Sequence, residues 1–239
     1  MKRMGWVLTI CFLFLTGIAW FLITFFTSSK MLWFPTNGNL EKLPVIVLDP
    51  GHGGVDGGTT SISGFLEKNI NLAIALNLRD FLTSAGFQVI LTRESDISIH
   101  NSDASTIKEM KVSDIHNRLQ IMKENAGCIF ISIHQNHFTE SKYSGAQFFY
   151  STNVDSSAVL AECFRNSFRA LLQPENNRQT KPCGNEIYLM AHADTTAVLA
   201  ECGFLSNPTE AELLSDPSYQ KKVAFAFFCG ILEYCGTNT

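Results

Sequence analysis

From Pro44 onward the chain alternates short, nearly continuous apolar runs with longer runs whose apolar positions recur every three or four residues. "VIVLD" (Val45–Asp49) has the uninterrupted apolar character of a buried parallel strand. "NINLAIALNLRDFLTSAG" places Leu72, Ala75 and Leu76, then Leu78, Phe81 and Leu82, at helical spacing, with Gly86 as its stop. "FQVILT" reads as a second strand, and the polar stretch Arg93–Lys111 as a long loop. "VSDIHNRLQIMKENAG" reads as a helix closed by Gly127, and "CIFISIH" and "AQFFYS" as strands. "DSSAVLAECFRNSFRALL" is a helix stopped near Pro174, followed by two more strands, "NEIYLM" and "AVLAECGF". "NPTEAELLSD" opens a short helix, with Asn207 as cap, Pro208 in the first turn and Glu210 completing a pattern like a capping box. "SYQKKVAFAFFCGILEYCG" is the last helix, with Val223, Phe227, Ile231 and Tyr234 on one stripe. This order predicts an α/β domain over residues 44–236, with a mostly parallel central sheet flanked by helices on both faces.

The first 30 residues break the alternation. Met4 to Phe26 is an uncharged run of 23 residues, roughly 35 Å long as a helix and so long enough for a hydrocarbon core of about 30 Å. The apolar part of a signal peptide is usually about 7–15 residues and ends at a small-residue cleavage site; no clear Ala-x-Ala follows here. The reading is an N-terminal transmembrane helix, a signal-anchor over residues 1–30, with a cleaved signal peptide and secretion as the alternative. Lys2 and Arg3 precede the run and only Lys30 follows closely, which puts the N-terminus in the cytoplasm and the large domain outside. Residues 31–43, with Pro, Gly and two Asn, read as a linker.

Composition narrows the function classes. The chain has 239 residues, 46% hydrophobic and 17% charged, with a net charge of −4. That suits one globular domain plus an appendage, and with no basic stripe it gives nucleic-acid binding no electrostatic support. The seven cysteines include no C-x-x-C pair and several lie in apolar runs, so buried free thiols are the expectation.

Candidate chemistry gathers at strand ends, where open α/β sheets bind their ligands. His52 follows "VIVLD", His134 ends "CIFISIH" and Glu201 lies in "AVLAE", while Glu67 stands just before the first long helix. Two histidines and a carboxylate make a three-ligand zinc set that leaves a fourth position for water, and His52, Glu67 and His134 can supply it. Zinc lowers the pKa of that water to about 7. A glutamate outside the ligand set can carry protons to and from an amide under attack, and Glu201, after an apolar strand, suits that role.

Competing chemistries fit less well. In "GHGGVDGG" Asp56 stands where a dinucleotide loop needs its third glycine, and no G-K-[ST] follows. No G-x-S-x-G marks a serine hydrolase. Cys202 adjoins Glu201, but neighbouring strand residues face opposite sides, so its thiol is directed away from the cleft. The glycines of the loop instead allow a tight turn and keep bulk from His52, and Asp49 or Asp56 is placed to orient that histidine.

Five stretches in order, "VLDPGHGGVDGG", "LEKNINLAIALNLRDFL", "ILTRESD", "SIHQNH" and "AVLAECGFLSNPTEAELL", resemble the zinc-dependent N-acetylmuramoyl-L-alanine amidases of the amidase_3 type, from about Pro44 to Tyr234. The N-terminal apolar segment, the bare catalytic domain and "SGAQ-F-Y" from Ser144 to Tyr150 are most like the membrane-anchored spore-cortex branch of that family. The resemblance implies zinc held by His52, Glu67 and His134, and Glu201 as the catalytic glutamate. It implies hydrolysis of the amide between N-acetylmuramic acid and L-alanine in peptidoglycan. In the spore-cortex branch a separate deacetylase then acts, yielding muramic-δ-lactam, which implies a site of action between the forespore membranes. Gln135, where the family often has a small or aliphatic residue, and Thr196, where it often has proline, depart from the pattern. His137 reads as a rim residue, His100, His116 and His192 match no ligand motif, and Arg118 reads as part of an internal salt bridge. A non-catalytic wall-binding protein on the same fold, and an amidase dependent on an accessory protein, stand as alternatives.

Overall fold

A computed structural model describes residues 43–237. The expected membrane helix and nearly all of the expected linker lie outside the described residues. Among the described residues no helix is long and apolar enough to cross a membrane.

The elements are β1 (Ile46–Pro50), α1 (Glu67–Ser84), β2 (Val89–Leu91), α2 (Ile107–Glu124), β3 (Ile129–Asn136), β4 (Gln147–Tyr150), α3 (Ser156–Leu171), β5 (Lys181–Pro182), α4 (Tyr188–Ala191), β6 (Thr196–Phe204), α5 (Pro208–Ser215) and α6 (Pro217–Thr237). The sheet runs β2-β1-β3-β6-β4-β5. β2, β1, β3 and β6 are parallel, and β4 joins β6 antiparallel. The α/β reading with a mostly parallel sheet between two helix layers is correct.

Two apolar cores lie on the two faces. Ile46 and Leu48, Ile129, Ile131 and Ile133, and Val198 and Ala200 meet α1, α3 and α6, among them Leu78, Phe164, Phe168 and Phe227. The intervening residues Val47, Phe130, Ala197 and Leu199 face α2 and α4, through Leu119, Met122, Leu189 and Met190. The predicted α6 stripe of Val223, Phe227, Ile231 and Tyr234 is buried in the first core.

Local expectations differ from the structure in three places. "NEIYLM" is not a strand: Tyr188–Ala191 is one helical turn that buries Leu189 and Met190. An apolar run that short has no period to separate strand from helix. The Arg93–Lys111 loop ends early, because α2 starts at Ile107. Thr106 accepts from the Glu109 N–H, and Glu109 accepts from the Thr106 N–H, a capping box written in polar residues. Glu210, expected to complete such a box, lets Asn207 cap its N–H but turns its own carboxylate to Gly145 N and Phe204 N, both at 2.8 Å.

Candidate metal centre and catalytic carboxylate

The face under α2 changes character along the strands. Two residues after Val47 stands Asp49, after Phe130 come Ser132 and His134, and after Leu199 comes Glu201. These polar positions lie on the α2 side because side chains alternate along a strand. Asp49 and Ser132 are in register and bonded, Ser132 Oγ donating to Asp49 Oδ2 at 2.7 Å. His134 and Glu201 are in register across β3 and β6, and the ladder then slips between His134 and Asn136, an irregularity of the kind that re-aims side chains beside active sites.

His52, Glu67 and His134 converge, with one donor atom from each within 4.8 Å of the others. Glu67 Oε2 lies 3.2 Å from His52 Nε2, Glu67 Oε1 lies 2.9 Å from His134 Nδ1, and the two rings stand at 78° with centroids 4.9 Å apart. The loop brings His52 there by a sharp turn. His52 has φ 63°, a conformation non-glycine residues rarely adopt. Paired backbone bonds between Gly53 and Asp56 then fold Asp56 back, and its Oδ2 meets His52 Nδ1 at 2.9 Å. Asp56, rather than Asp49, is the carboxylate that orients the histidine, leaving Nε2 for the cluster. Two glycines are required by space: a Cβ on Gly51 would lie 2.2 Å from the His134 ring, and one on Gly58 2.5 Å from Glu67 Oε2.

Glu67 is fixed from several sides. Its oxygens accept from Thr59 N at 2.8 Å, Gln135 N at 3.1 Å and Asn71 Nδ2 at 3.3 Å, and Gln135 Nε2 in turn donates to Asn71 Oδ1. The unusual Gln135 therefore completes a buried network behind Glu67. Burial alone would raise the Glu67 carboxyl, but His134 and His52 outweigh it and hold it well below the usual range. Burial likewise disfavours charge on His52, yet Asp56 and Glu67 push it up to about 9.

Glu201 is in a different state. Its Oε2 is inaccessible and accepts no hydrogen bond. Burial, with a smaller push from Glu67 against the pull of His134, raises its pKa to about 7. Cys202, next in sequence, lies fully buried in the opposite core, its thiol pushed further up by burial. His137 is exposed at the rim. His100 meets Ser98, His192 meets the Tyr188 carbonyl and His116 packs on the Tyr188 ring, none of them in the cluster.

Two arginines hold the loop from beneath. Arg118 reaches Asp49 Oδ1 at 2.5 Å, Asp114 Oδ2 at 2.6 Å, Pro50 O at 2.9 Å and His52 O at 2.8 Å, so the internal salt bridge expected of it is present. Sequence reasoning missed Arg93. Its guanidinium donates to Pro50 O, Gly51 O and Lys68 O at 2.8–3.0 Å, tying the glycine loop to α1. Its only local signal is an arginine placed directly after an apolar strand. Lys111 was missed too; it pairs with Asp56 at 2.8 Å from the early first turns of α2.

Fold and site together define a hydrolase-type α/β domain: three donors at one strand-end cleft, with a carboxylate of near-neutral pKa beside them. Residues 46–233 match the Amidase_3 family, N-acetylmuramoyl-L-alanine amidase. The chain is 36% identical over 235 residues to the germination-specific N-acetylmuramoyl-L-alanine amidase of Bacillus subtilis, covering 98% of this chain and 95% of the relative. Among solved structures it is similar to the CwlD amidase of Clostridioides difficile in complex with the GerS lipoprotein. That match has 40% identity and a TM-score of 0.78, and covers 81% of this chain and 99% of the other. It is also similar to amidase AmiC2 of Nostoc punctiforme, at 28% identity and a TM-score of 0.70, covering 81% of this chain and 97% of the other. The chain belongs to the N-acetylmuramoyl-L-alanine amidase family, enzymes that act on peptidoglycan.

Proposed function

We propose that this amidase is zinc-dependent, with His52, Glu67 and His134 as the ligands and Glu201 as the proton carrier. The observation that carries the reading is the convergence of the three donors beside a buried glutamate with an unbonded oxygen. The donor set fits the ion: imidazole nitrogen and carboxylate oxygen are zinc donors, and one such atom from each of the three residues lies within 4.8 Å of the others. The Asp56 bond to His52 Nδ1 is the support a ligating histidine needs. Zinc at this position supplies Lewis acidity that polarises the amide carbonyl and acidifies water.

The chain's own residues account for the proton traffic. Glu201, with a pKa of about 7, is poised to take a proton near neutrality and to return it. It removes one proton from the attacking water as the C–O bond forms. It then delivers that proton to the L-alanine nitrogen as the C–N bond breaks, and the second water proton passes from the new lactyl carboxyl to the freed amine, leaving a carboxylate and an ammonium group. Glu67 stays anionic throughout, because its histidine and backbone partners stabilise the charged form.

The substrate we propose is spore-cortex peptidoglycan, with stem-peptide removal preceding a deacetylase step towards muramic-δ-lactam. The support is the similarity to the Bacillus subtilis amidase, which is germination-specific. The complex of the Clostridioides difficile relative with a lipoprotein supports an accessory protein here as well. An N-terminal membrane anchor with the catalytic domain outside the cytoplasm completes the proposal. The test is digestion of purified peptidoglycan with and without a chelator. Chelator-sensitive appearance of peptides with a free L-alanine amine is expected; release that persists after complete metal removal would overturn the zinc assignment.

A further inference from the structure

Beyond β6, on the β4 side of Glu201, a cleft of about 620 Å³ is walled by Lys142, Tyr143, Gln173, Asn176, Arg178 and Glu210. Of its two cations Lys142 pairs with Glu140, while Arg178 is built in rather than loose. Arg178 Nε donates to Ser144 O at 2.8 Å, and the guanidinium lies 4.7 Å from the centre of the Phe204 ring. Asn176 Oδ1 accepts from the Arg178 N–H at 3.1 Å, while Asn176 Nδ2 donates to Ala146 O at 2.9 Å. Gly145, at φ +89°, lies so close that a Cβ there would meet Asn176 at 2.9 Å. Two acids line the cleft: Glu175 is exposed, and Glu210, which feels the charge of Arg178, has both oxygens engaged by backbone N–H groups. Among the described residues no carboxylate lies within ion-pair distance of Arg178, and its two terminal nitrogens donate to no protein group. A half-buried, pre-oriented guanidinium with two free donors matches a carboxylate, which accepts two parallel hydrogen bonds.

The cleft is tied to the reaction centre through β6 and β4. Phe204, beneath the guanidinium, is three residues past Glu201 on β6, about 10 Å along the strand. Gln147 stands opposite Glu201 in the ladder, and its Nε2 donates to the carbonyl of Gln179, the residue after Arg178. A peptide running from the scissile nitrogen along β6 would advance about 3.3–3.6 Å per residue, a reach that puts its second to fourth residues level with Phe204.

We propose that Arg178 anchors a carboxylate subsite for the stem peptide on the amine side of the scissile amide. The subsite rests on the hydrolytic reading of Glu201 for its placement, but not for its chemistry.

The test is binding and turnover by the full chain with two synthetic stem peptides, one bearing free carboxylates and one with those groups converted to carboxamides. Binding is measured by calorimetry with Arg178, Arg178→Lys and Arg178→Gln proteins. The wild type should bind the carboxylate peptide at least about tenfold tighter than the carboxamide. Arg178→Gln should lose that preference without further weakening the carboxamide, and Arg178→Lys should fall between. With muropeptides carrying the same two stems, the loss should appear in KM rather than kcat. Equal affinity of the wild type for both peptides, or equal weakening of both by Arg178→Gln, would overturn the subsite. Arg178-dependent peptide binding in a protein that hydrolyses neither muropeptide would sustain the subsite and sink the catalytic reading, so the two failures are distinct.

Discussion

The two faces of the central sheet obey different rules. Under α1, α3 and α6 the strands stay apolar for longer: Ile46 and Leu48, then Ile129, Ile131 and Ile133 before the buried Gln135, then Val198, Ala200 and Cys202. Under α2 the same strands begin apolar at Val47, Phe130 and Leu199 and turn polar at Asp49, Ser132, His134 and Glu201. One face supplies stability through burial. The other keeps only half a core and uses the remainder for an arginine-pinned loop and a donor cluster. The lesson is that strand polarity changing early on one face, while the other face stays apolar until the last turn of the ladder, marks where a sheet gives up packing for chemistry.

Substitutions on the two faces should therefore fail in different ways. The largest effect belongs to Glu201→Gln, which should lower peptide release about 10²–10⁴-fold with metal content unchanged. Phe227→Ala, in the opposite core and fully buried, should cost about 3–5 kcal/mol of stability in denaturant titrations, while activity per folded molecule holds.

Asp49→Asn strikes the boundary between the two regimes. Burial opposes the Asp49 charge, but Arg118, Ser132 and Thr92 outweigh it and hold its carboxyl below the ordinary aspartate value of 3.8. Its contribution is then fully present above about pH 4 and lost as pH falls through the lower folded value. The substitution should cost about 3 kcal/mol at pH 6, since it leaves Arg118 less compensated. The gap to wild type should narrow in urea titrations carried below pH 4. A gap independent of pH would remove the charge from the account.

Glu201 carries the opposite sign. Its pKa rises from 4.5 to about 7 on folding, so the metal-free protein loses stability as pH climbs through that interval. At pH 8 metal-free Glu201→Gln should exceed metal-free wild type by roughly 2–3 kcal/mol, and the two should coincide below pH 4.5. The smallest effect is expected from Cys202→Ala. Its thiol lies in the apolar core, so activity should stay within about twofold and stability fall by about 1 kcal/mol.

Much of this division is written locally in the chain. The continuous apolar runs of β1, β3 and β6 and the stripe on α6 are visible because burial on one or two faces imposes a period. His52, His134 and Glu201 stand out because each interrupts or ends such a run, and Glu67 because it precedes a helix. What was not legible depends on contacts between distant segments. Arg93 and Asn71 matter through bonds to Gly51, Lys68 and Glu67 that no spacing announces. The start of α2 escaped because its first turn is held by Thr106 and Glu109 rather than by apolar periodicity. "NEIYLM" misled because a single buried turn and a short buried strand have the same composition.

The central claim is that His52, Glu67 and His134 hold the metal while Glu201 stands beside it and moves protons. The most direct measurement is zinc affinity by competition with a chromophoric chelator, on the wild type, Glu67→Gln and Glu201→Gln proteins. The account predicts one zinc per chain, an affinity at least about 100-fold weaker in Glu67→Gln, and wild-type affinity in the catalytically impaired Glu201→Gln. Equal loss of zinc in both variants, or no zinc bound by the wild type, would contradict it.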